Sequence, residues 1–253
     1  MHRSQAIHIV GAGLAGSECA FQLAERGDSV KLYEMRDRIQ TPAHKTNNFA
    51  ELVCSNSFGS HTGYSAPGQL KWEAKRLGSL VLRLAEKHQV PAGMALSVDR
   101  QAFSEDVTRL VRGHTNVEVV EQAIEDLTSL PRPAVIATGP LTHGPLAKSL
   151  QAHFNEEFLY FFDAIAPIVD ADTIDMDVAW RADRFDQGTK DYINCPLNKD
   201  QYERLIWEIQ QARKIAPKEF EKTPYFDGCM PIEAIIDRGP ETLRHGAMSP
   251  KGL

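Results

Sequence analysis

The stretch Ile9-Val10-Gly11-Ala12-Gly13-Leu14-Ala15-Gly16 limits the folds open to this chain more than any other. An apolar strand from Ile7 runs into a glycine-rich turn, and from Ser17 to Arg26 the residues Cys19, Ala20, Leu23 and Ala24 recur at helical spacing, with Gly27 as the helix stop. Glycines at 11, 13 and 16 match the dinucleotide fingerprint. The first permits the tight turn, the second lets a pyrophosphate approach the backbone, and the third lets the helix pack close to the strand. The free N–H groups at the start of that helix then face the phosphates, with the positive end of the helix dipole behind them.

A second apolar strand, Val30 to Tyr33, ends in Glu34, which lies 23 residues beyond Gly11. That is close to the separation of about 20 expected of the acid that accepts from a ribose hydroxyl. Met35 and Arg36 follow the acid, an arrangement common where FAD rather than NAD occupies the first fold. The expected cofactor contacts are therefore Gly11, Ala12, Gly13, Leu14, Ala15, Gly16, Glu34 and Arg36.

Bulk properties bound the rest. A chain of 253 residues with 42% apolar content holds one large domain or two small ones. No apolar run approaches the roughly 20 residues that span a bilayer, and the N-terminus leads into a strand rather than a signal segment, so a soluble, cytoplasmic protein is expected. The four cysteines, at 19, 54, 195 and 229, form no CxxC pair. They read as reduced thiols, and no metal is expected. A net charge of −6 argues against a surface that grips nucleic acid everywhere, though not against a local basic patch.

Arg38 to Tyr64 is long, polar and without hydrophobic periodicity, the mark of a segment that is either disordered or functional. Glu51-Leu52-Val53-Cys54-Ser55-Asn56-Ser57-Phe58 within it favours function. From Gln69 to His88 the spacing of Leu70, Ala74, Leu77, Leu80, Val81 and Leu84 predicts one long core helix. Leu96 to Val98 predicts a strand, with Asp99 capping a helix whose buried stripe is Phe103, Val107, Leu110 and Val111. Asn116 to Ile124 predicts a sheet strand. Ala134 to Ala137 predicts a fully buried one that ends in Thr138-Gly139-Pro140, and in two-dinucleotide-fold flavoproteins a strand of this type closes at Thr-Gly beside the FAD. From His153 the composition shifts to an aromatic cluster at 156–168 and an acidic stretch at 170–177. The division expected is a dinucleotide fold over 1–152 and a smaller α+β domain over 153–253, with a strand over Asp191 to Pro196 and a helix over Asp200 to Ala212. Cys19 and Cys195 read as small buried hydrophobes.

Three stretches taken together carry a family resemblance: the Gly11–Gly16 turn, Cys54-Ser55-Asn56-Ser57-Phe58, and Phe226-Asp227-Gly228-Cys229-Met230-Pro231-Ile232-Glu233. With Ala137-Thr138-Gly139-Pro140-Leu141-Thr142 and Tyr192-Ile193-Asn194-Cys195-Pro196 between them, the chain resembles the folate- and FAD-dependent tRNA uracil-5-methyltransferases of bacteria from Ile7 to Leu253. The resemblance implies an α/β fold, a Rossmann-like FAD domain with a smaller inserted α+β domain, and Thr138 and Gly139 as further FAD contacts. It implies transfer of the one-carbon unit of methylenetetrahydrofolate, through reduced FAD, to C5 of a T-loop uridine, with NAD(P)H as reductant. The partners implied are tRNA and folate, with no membrane and no DNA.

Methylating C5 of uracil requires that carbon to be electron-rich, which a thiolate achieves by adding at C6. By resemblance Cys229 makes that attack and Cys54 protects the flavin or the activated intermediate; on the residues alone the two roles are exchangeable. Candidate tRNA contacts are Arg181, Arg184, Lys190 and Lys199 in the second domain, and Lys71, Lys75 and Arg76 on the polar side of the long helix. Gly59, where a basic residue is expected, and Ser65, where an Asn is expected, depart from the family pattern. Members also continue past the segment matching Arg244 to Leu253, in a part that returns to the first domain and completes the FAD pocket. Two other readings stay open: a related flavoprotein that modifies the wobble uridine, and a non-catalytic FAD- or RNA-binding remnant.

Overall fold

Residues 5–41, 43–155, 169–183, 186, 188–214, 230–246, 248 and 249 are described in the computed structural model. Cys229, Arg184 and the aromatic cluster at 156–168 lie outside them. The chain divides into two compact units. One comprises Met1–Val90 with Met94–Phe161, the other Pro91–Gly93 with Phe162–Leu253.

The first unit is built on a parallel sheet. Strand β1 (Ile7–Val10) leads through the glycine turn into helix α1 (Leu14–Glu25), which returns to β2 (Val30–Glu34). The helix therefore begins three residues before Ser17, so Leu14 to Gly16 form its first turn rather than the loop before it. Gly27, at a φ of +92°, takes the left-handed conformation that ends the helix cheaply in a residue without Cβ. β1 and β2 pair in parallel, and β6 (Val117–Glu121) and β7 (Ala134–Ile136) complete the order β6-β2-β1-β7. Strand alternation sends Ile9 and Leu32 to one face and Val10 and Tyr33 to the other. The first face packs on Ala20, Phe21 and Ala24 of α1, on α3 (Leu80–Lys87) and on α4 (Arg100–Arg112). The second packs on Leu146 of α5 (Gly144–Phe154) with Ile124 and Leu130. This is the expected α/β arrangement, with helices on both faces of a parallel sheet.

A smaller antiparallel sheet, in the order β3-β5-β4, joins β3 (Ser57–Ser60), β5 (Ala95–Val98) and β4 (Gln89–Val90). It takes the end of the Arg38–Tyr64 segment into regular structure, and Phe49 and Ala50 in that segment are fully buried.

Three expectations fail here. The long helix is two helices, α2 (Ala66–Arg76) and α3, separated at Leu77-Gly78-Ser79. Gly78 adopts a φ of +79°, and Ser79 caps α3 by accepting from Leu82 N–H. After the break Leu70 and Leu77 no longer share a face with the buried Leu80 and Leu84, and both are exposed. Strand β7 is not fully buried: among the described residues it pairs only with β1, at one end of the sheet order, and Val135 is 38% exposed. Cys195 is exposed rather than buried, lying just past the short strand β9 (Tyr192–Asn194). Asp99 does cap α4, accepting from the N–H groups of Gln101 and Ala102.

In the second unit, β8 (Trp180–Ala182) pairs antiparallel with β9. The helices α6 (Lys199–Gln211), α7 (Ile232–Asp237) and α8 (Thr242–His245) enclose a small core of Tyr202, Ile206, Ile236 and Leu243. Asn198 and Gln201 form a reciprocal capping box at the start of α6.

Candidate dinucleotide site

The carboxyl ends of β1, β2 and β7 meet at the glycine turn. Gly11 N–H donates to the Tyr33 carbonyl at 2.8 Å and Ala137 N–H to the Val10 carbonyl at 2.8 Å, which fixes the turn between its neighbours. Each glycine of the fingerprint can be tested sterically. A Cβ on Gly16 would stand 1.7 Å from the Gly11 carbonyl oxygen, and one on Gly11, at a φ of +97°, would stand 2.8 Å from that of Ala137. Neither position tolerates a side chain. Around Gly13 nothing lies within 4 Å of where a Cβ would be. The space is open on the side a phosphate would approach. No side chain caps the amides of α1 at Gly13, so the N–H groups of its first turn point outward without a side-chain partner at the cap. A dinucleotide pyrophosphate fits this cradle.

An open cleft extends from the turn over the ends of the strands. Gly11, Gly13, Glu34, Arg36 and Thr138, all drawn from the sequence, line it together. It lies where ligands bind in open α/β sheets, outside the carboxyl ends of the strands. Thr138 and Gly139 follow β7, their turn held by Thr142 Oγ1, which donates to the Gly139 carbonyl at 2.7 Å.

Glu34 is 5% exposed. Its Oε2 accepts from Ala12 N–H at 2.8 Å and from Arg36 Nη2 at 3.0 Å, and its Oε1 accepts from the N–H groups of Met35 and Arg36. Burial by itself would raise the carboxyl pKa. The Arg36 guanidinium and the backbone donors outweigh it and hold Glu34 ionised below the usual glutamate range.

Thr41, His44, Gln122 and His143 also line the cleft and were missed in the sequence. Gln122 was the most accessible to reasoning, because it follows β6 at the end of the sheet where the other strand ends converge. His44 is half-buried beside Arg36. Desolvation and the nearby guanidinium push its pKa down against the pull of Glu51 and Glu34.

Cys54 is exposed, in the segment between the cleft and β3. Its carbonyl accepts from Arg100 Nη2 at 3.2 Å, and two residues on, Asn56 Nδ2 donates to the Val98 carbonyl at 2.9 Å. Cys19 is half-buried in α1, and burial pushes its thiol pKa up, away from the reactive thiolate. The two departures from the family pattern have local roles: Gly59 holds a φ of +75° in β3, and Ser65 caps α2 by accepting from Gly68 N–H at 3.1 Å.

The basic candidates are scattered. In the first unit Lys71 Nζ donates to the Ser60 carbonyl at 3.0 Å, Lys75 pairs with Glu86 at 2.8 Å, and the exposed Arg76 lies over the Trp72 ring at 4.9 Å. In the second, Arg181 is exposed on β8, Lys190 donates its backbone N–H to buried Asp183, and Lys199 pairs with Glu203 at 3.6 Å. Among the described residues no group of three or more His, Cys, Asp and Glu gathers to hold a metal, and no helix is long and apolar enough to cross a membrane.

Comparison with known proteins extends the cradle's reading over the whole chain. The chain is 63% identical over 251 residues to the methylenetetrahydrofolate–tRNA-(uracil-5-)-methyltransferase TrmFO of Bdellovibrio bacteriovorus, covering 99% of this chain and 57% of that protein. It is 53% identical over 98% of its length to the TrmFO of Rhizorhabdus wittichii and 52% identical over 98% to that of Anoxybacillus flavithermus, covering 56% and 57% of those proteins. The chain thus spans somewhat over half the length of these curated relatives. Residues 6–252 match the family described as glucose inhibited division protein A, a match that begins at β1 and takes in both units. On that match, and on a strand-turn-helix cradle to go with it, the chain belongs to the glucose inhibited division protein A family.

Proposed function

We propose that this chain carries the FAD-binding and cysteine-bearing part of a folate- and FAD-dependent tRNA uracil-5-methyltransferase that acts in the cytoplasm. The observation that carries the reading is the 63% identity to a methylenetetrahydrofolate–tRNA-(uracil-5-)-methyltransferase over 99% of the chain. The open cradle at Gly13 supports it.

FAD, once bound and reduced by NAD(P)H, supplies the relay for the one-carbon unit of methylenetetrahydrofolate and the electrons that make it methyl. The chain's residues do the rest. The amides from Gly13 to Gly16 would hold a pyrophosphate and Glu34 would face a ribose, with Thr138 lining the same cleft and Gly139 next to it in the turn after β7. The Cys229 thiolate adds to C6 of the target uracil, forming a C–S bond and pushing electron density onto C5. After the carbon is delivered, loss of the C5 proton restores the C5–C6 double bond and expels the thiolate. Cys54 shields the reactive ring until RNA arrives.

Labelled methylenetetrahydrofolate with unmodified tRNA, NADPH and added FAD tests the proposal. Label in the T-loop uridine supports it. Label at the wobble position would replace it with the related modification, and RNA binding without label would leave a binding remnant. A covalent protein–RNA adduct that disappears in Cys229→Ala and persists in Cys54→Ala is the expected division of roles. For Arg181, Arg184, Lys190, Lys199, Lys71, Lys75 and Arg76, phosphate contacts predict a steep fall of tRNA affinity with salt, and a flat dependence would remove them from the interface.

A further inference from the structure

Arg36 follows the acid of β2 and, by sequence, reads as a cofactor contact. Its surroundings give its guanidinium other partners. The side chain is buried, 3% exposed. Nε and Nη2 straddle the Glu34 carboxylate, each at 3.0 Å, in the planar two-point geometry that only an arginine provides. Nη1 turns the other way and donates to the Asn48 carbonyl at 2.7 Å, with the Glu51 carboxylate 3.9 Å off. All three guanidinium nitrogens are therefore engaged by this chain's own groups.

The groups that Nη1 faces, Asn48 and Glu51, belong to one segment. Asn48 carries its side-chain amide to Ser104 Oγ at 3.3 Å, and Phe49 N–H donates to Thr108 Oγ1 at 2.7 Å. Ala50 N–H donates to the Ala12 carbonyl at 2.9 Å, from a left-handed backbone conformation (φ +52°) that a non-glycine residue keeps only where its surroundings enforce it. Glu51 receives the N–H groups of Lys45 and Thr46. Three residues further on is Cys54, whose carbonyl is held by Arg100. The same Glu34 oxygen that accepts from Arg36 accepts from Ala12 N–H in the glycine turn. Through Arg36, one buried carboxylate thus ties the turn to the segment that leads to the cysteine.

We propose that Arg36 is a positioning residue that fixes Asn48–Glu51 against the glycine turn and thereby sets where Cys54 is presented, rather than a group that contacts the cofactor. The catalytic meaning of Cys54 rests on the methyltransferase reading; the mechanical claim does not. The three nitrogens act as a brace, and a side chain with one nitrogen or none cannot span both partners.

The test uses the 253-residue chain without cofactor or RNA, so its failure is separate from any failure of the proposed function. Amide exchange over 45–54 and peptide-resolved alkylation of Cys54 by iodoacetamide are compared in the parent, Arg36→Met and Arg36→Lys, with exposed Cys195 of the second unit as internal control. Loss of charge-assisted hydrogen bonds from a buried site predicts at least about tenfold faster exchange over 45–54 in Arg36→Met. Cys54 alkylation is expected to rise several-fold while that of Cys195 stays at the parent rate. Arg36→Lys keeps the buried charge, and with it the fold, but its single ammonium cannot serve both Glu34 and Asn48; it should move both readouts in the same direction, by less. Unchanged exchange and alkylation in both variants would overturn the proposal. So would an equal rise at Cys54 and Cys195, which would mark general loosening instead of a local brace.

Discussion

Gly13 and Gly16 stand three residues apart in one turn and are predicted to fail in different ways when given a methyl group. Gly16→Ala must move the backbone at Gly11, because its Cβ would lie 1.7 Å from that carbonyl oxygen. It should cost about 2–4 kcal/mol of stability by displacement of a packed turn. Gly13→Ala meets nothing within 4 Å. Its thermal midpoint should stay close to the parent's while FAD binding, followed by flavin fluorescence, falls by at least about tenfold as the methyl enters the phosphate's space. Glu34 gives a pH prediction. Its folded pKa lies below its unfolded one, so the stability it contributes is fully present above the usual glutamate range and is lost as pH falls through the depressed folded value. The difference in thermal midpoint between the parent and Glu34→Gln should therefore be largest near neutrality and shrink below about pH 4. A difference independent of pH would mean that the lost interaction is not that of the carboxylate.

At the scale of elements, α1, α2 and α3 show how a helix boundary is set from outside the helix. Glu18, in α1, accepts at one oxygen from Leu80 N–H and at the other from Val81 N–H and Ser79 Oγ, so a residue 61 positions upstream caps α3. Glu18→Ala should remove about 1–2 kcal/mol, the range of a lost helix cap, and raise amide exchange at the start of α3 before other sites. The periodicity from Leu70 to Leu84 is continuous, and nothing in it announces the break. The local sign is Gly78-Ser79, a helix stop followed by a new cap, which apolar spacing does not register. Strand β7 taught the converse: Ala134 to Ile136 reads as buried because it is wholly apolar, and its exposure follows from its place at the end of the sheet order, which composition does not encode.

For the whole molecule, the two units have cores with no residue in common: Ile9, Leu32, Leu80 and Phe103 belong to the first, Tyr202, Ile206, Ile236 and Leu243 to the second. Thermal unfolding is predicted to show two transitions. Added FAD should raise only that of the first unit, by about 2.7 kcal/mol at a hundredfold excess over its dissociation constant. Scanning calorimetry with and without FAD checks this, and a single transition shifted as one would show that the units unfold together.

What the sequence alone determined follows from interactions close along the chain. The strand-turn-helix at Gly11 to Gly16, the acid at Glu34, the cap at Asp99 and the cysteine motif at 54 depend on spacing, and spacing is written in the sequence. Only the tertiary structure decided that Arg36 faces Asn48 and Glu34, that Glu18 ends a distant loop, that His44 and Gln122 join the cleft, and that Cys195 is exposed. Each depends on which segments meet across the fold. The meetings of Arg36 with Asn48 and of Glu18 with the start of α3 are fixed by polar groups withdrawn from water that find partners elsewhere in the chain, since a buried charge left unpaired costs more than the fold can spare.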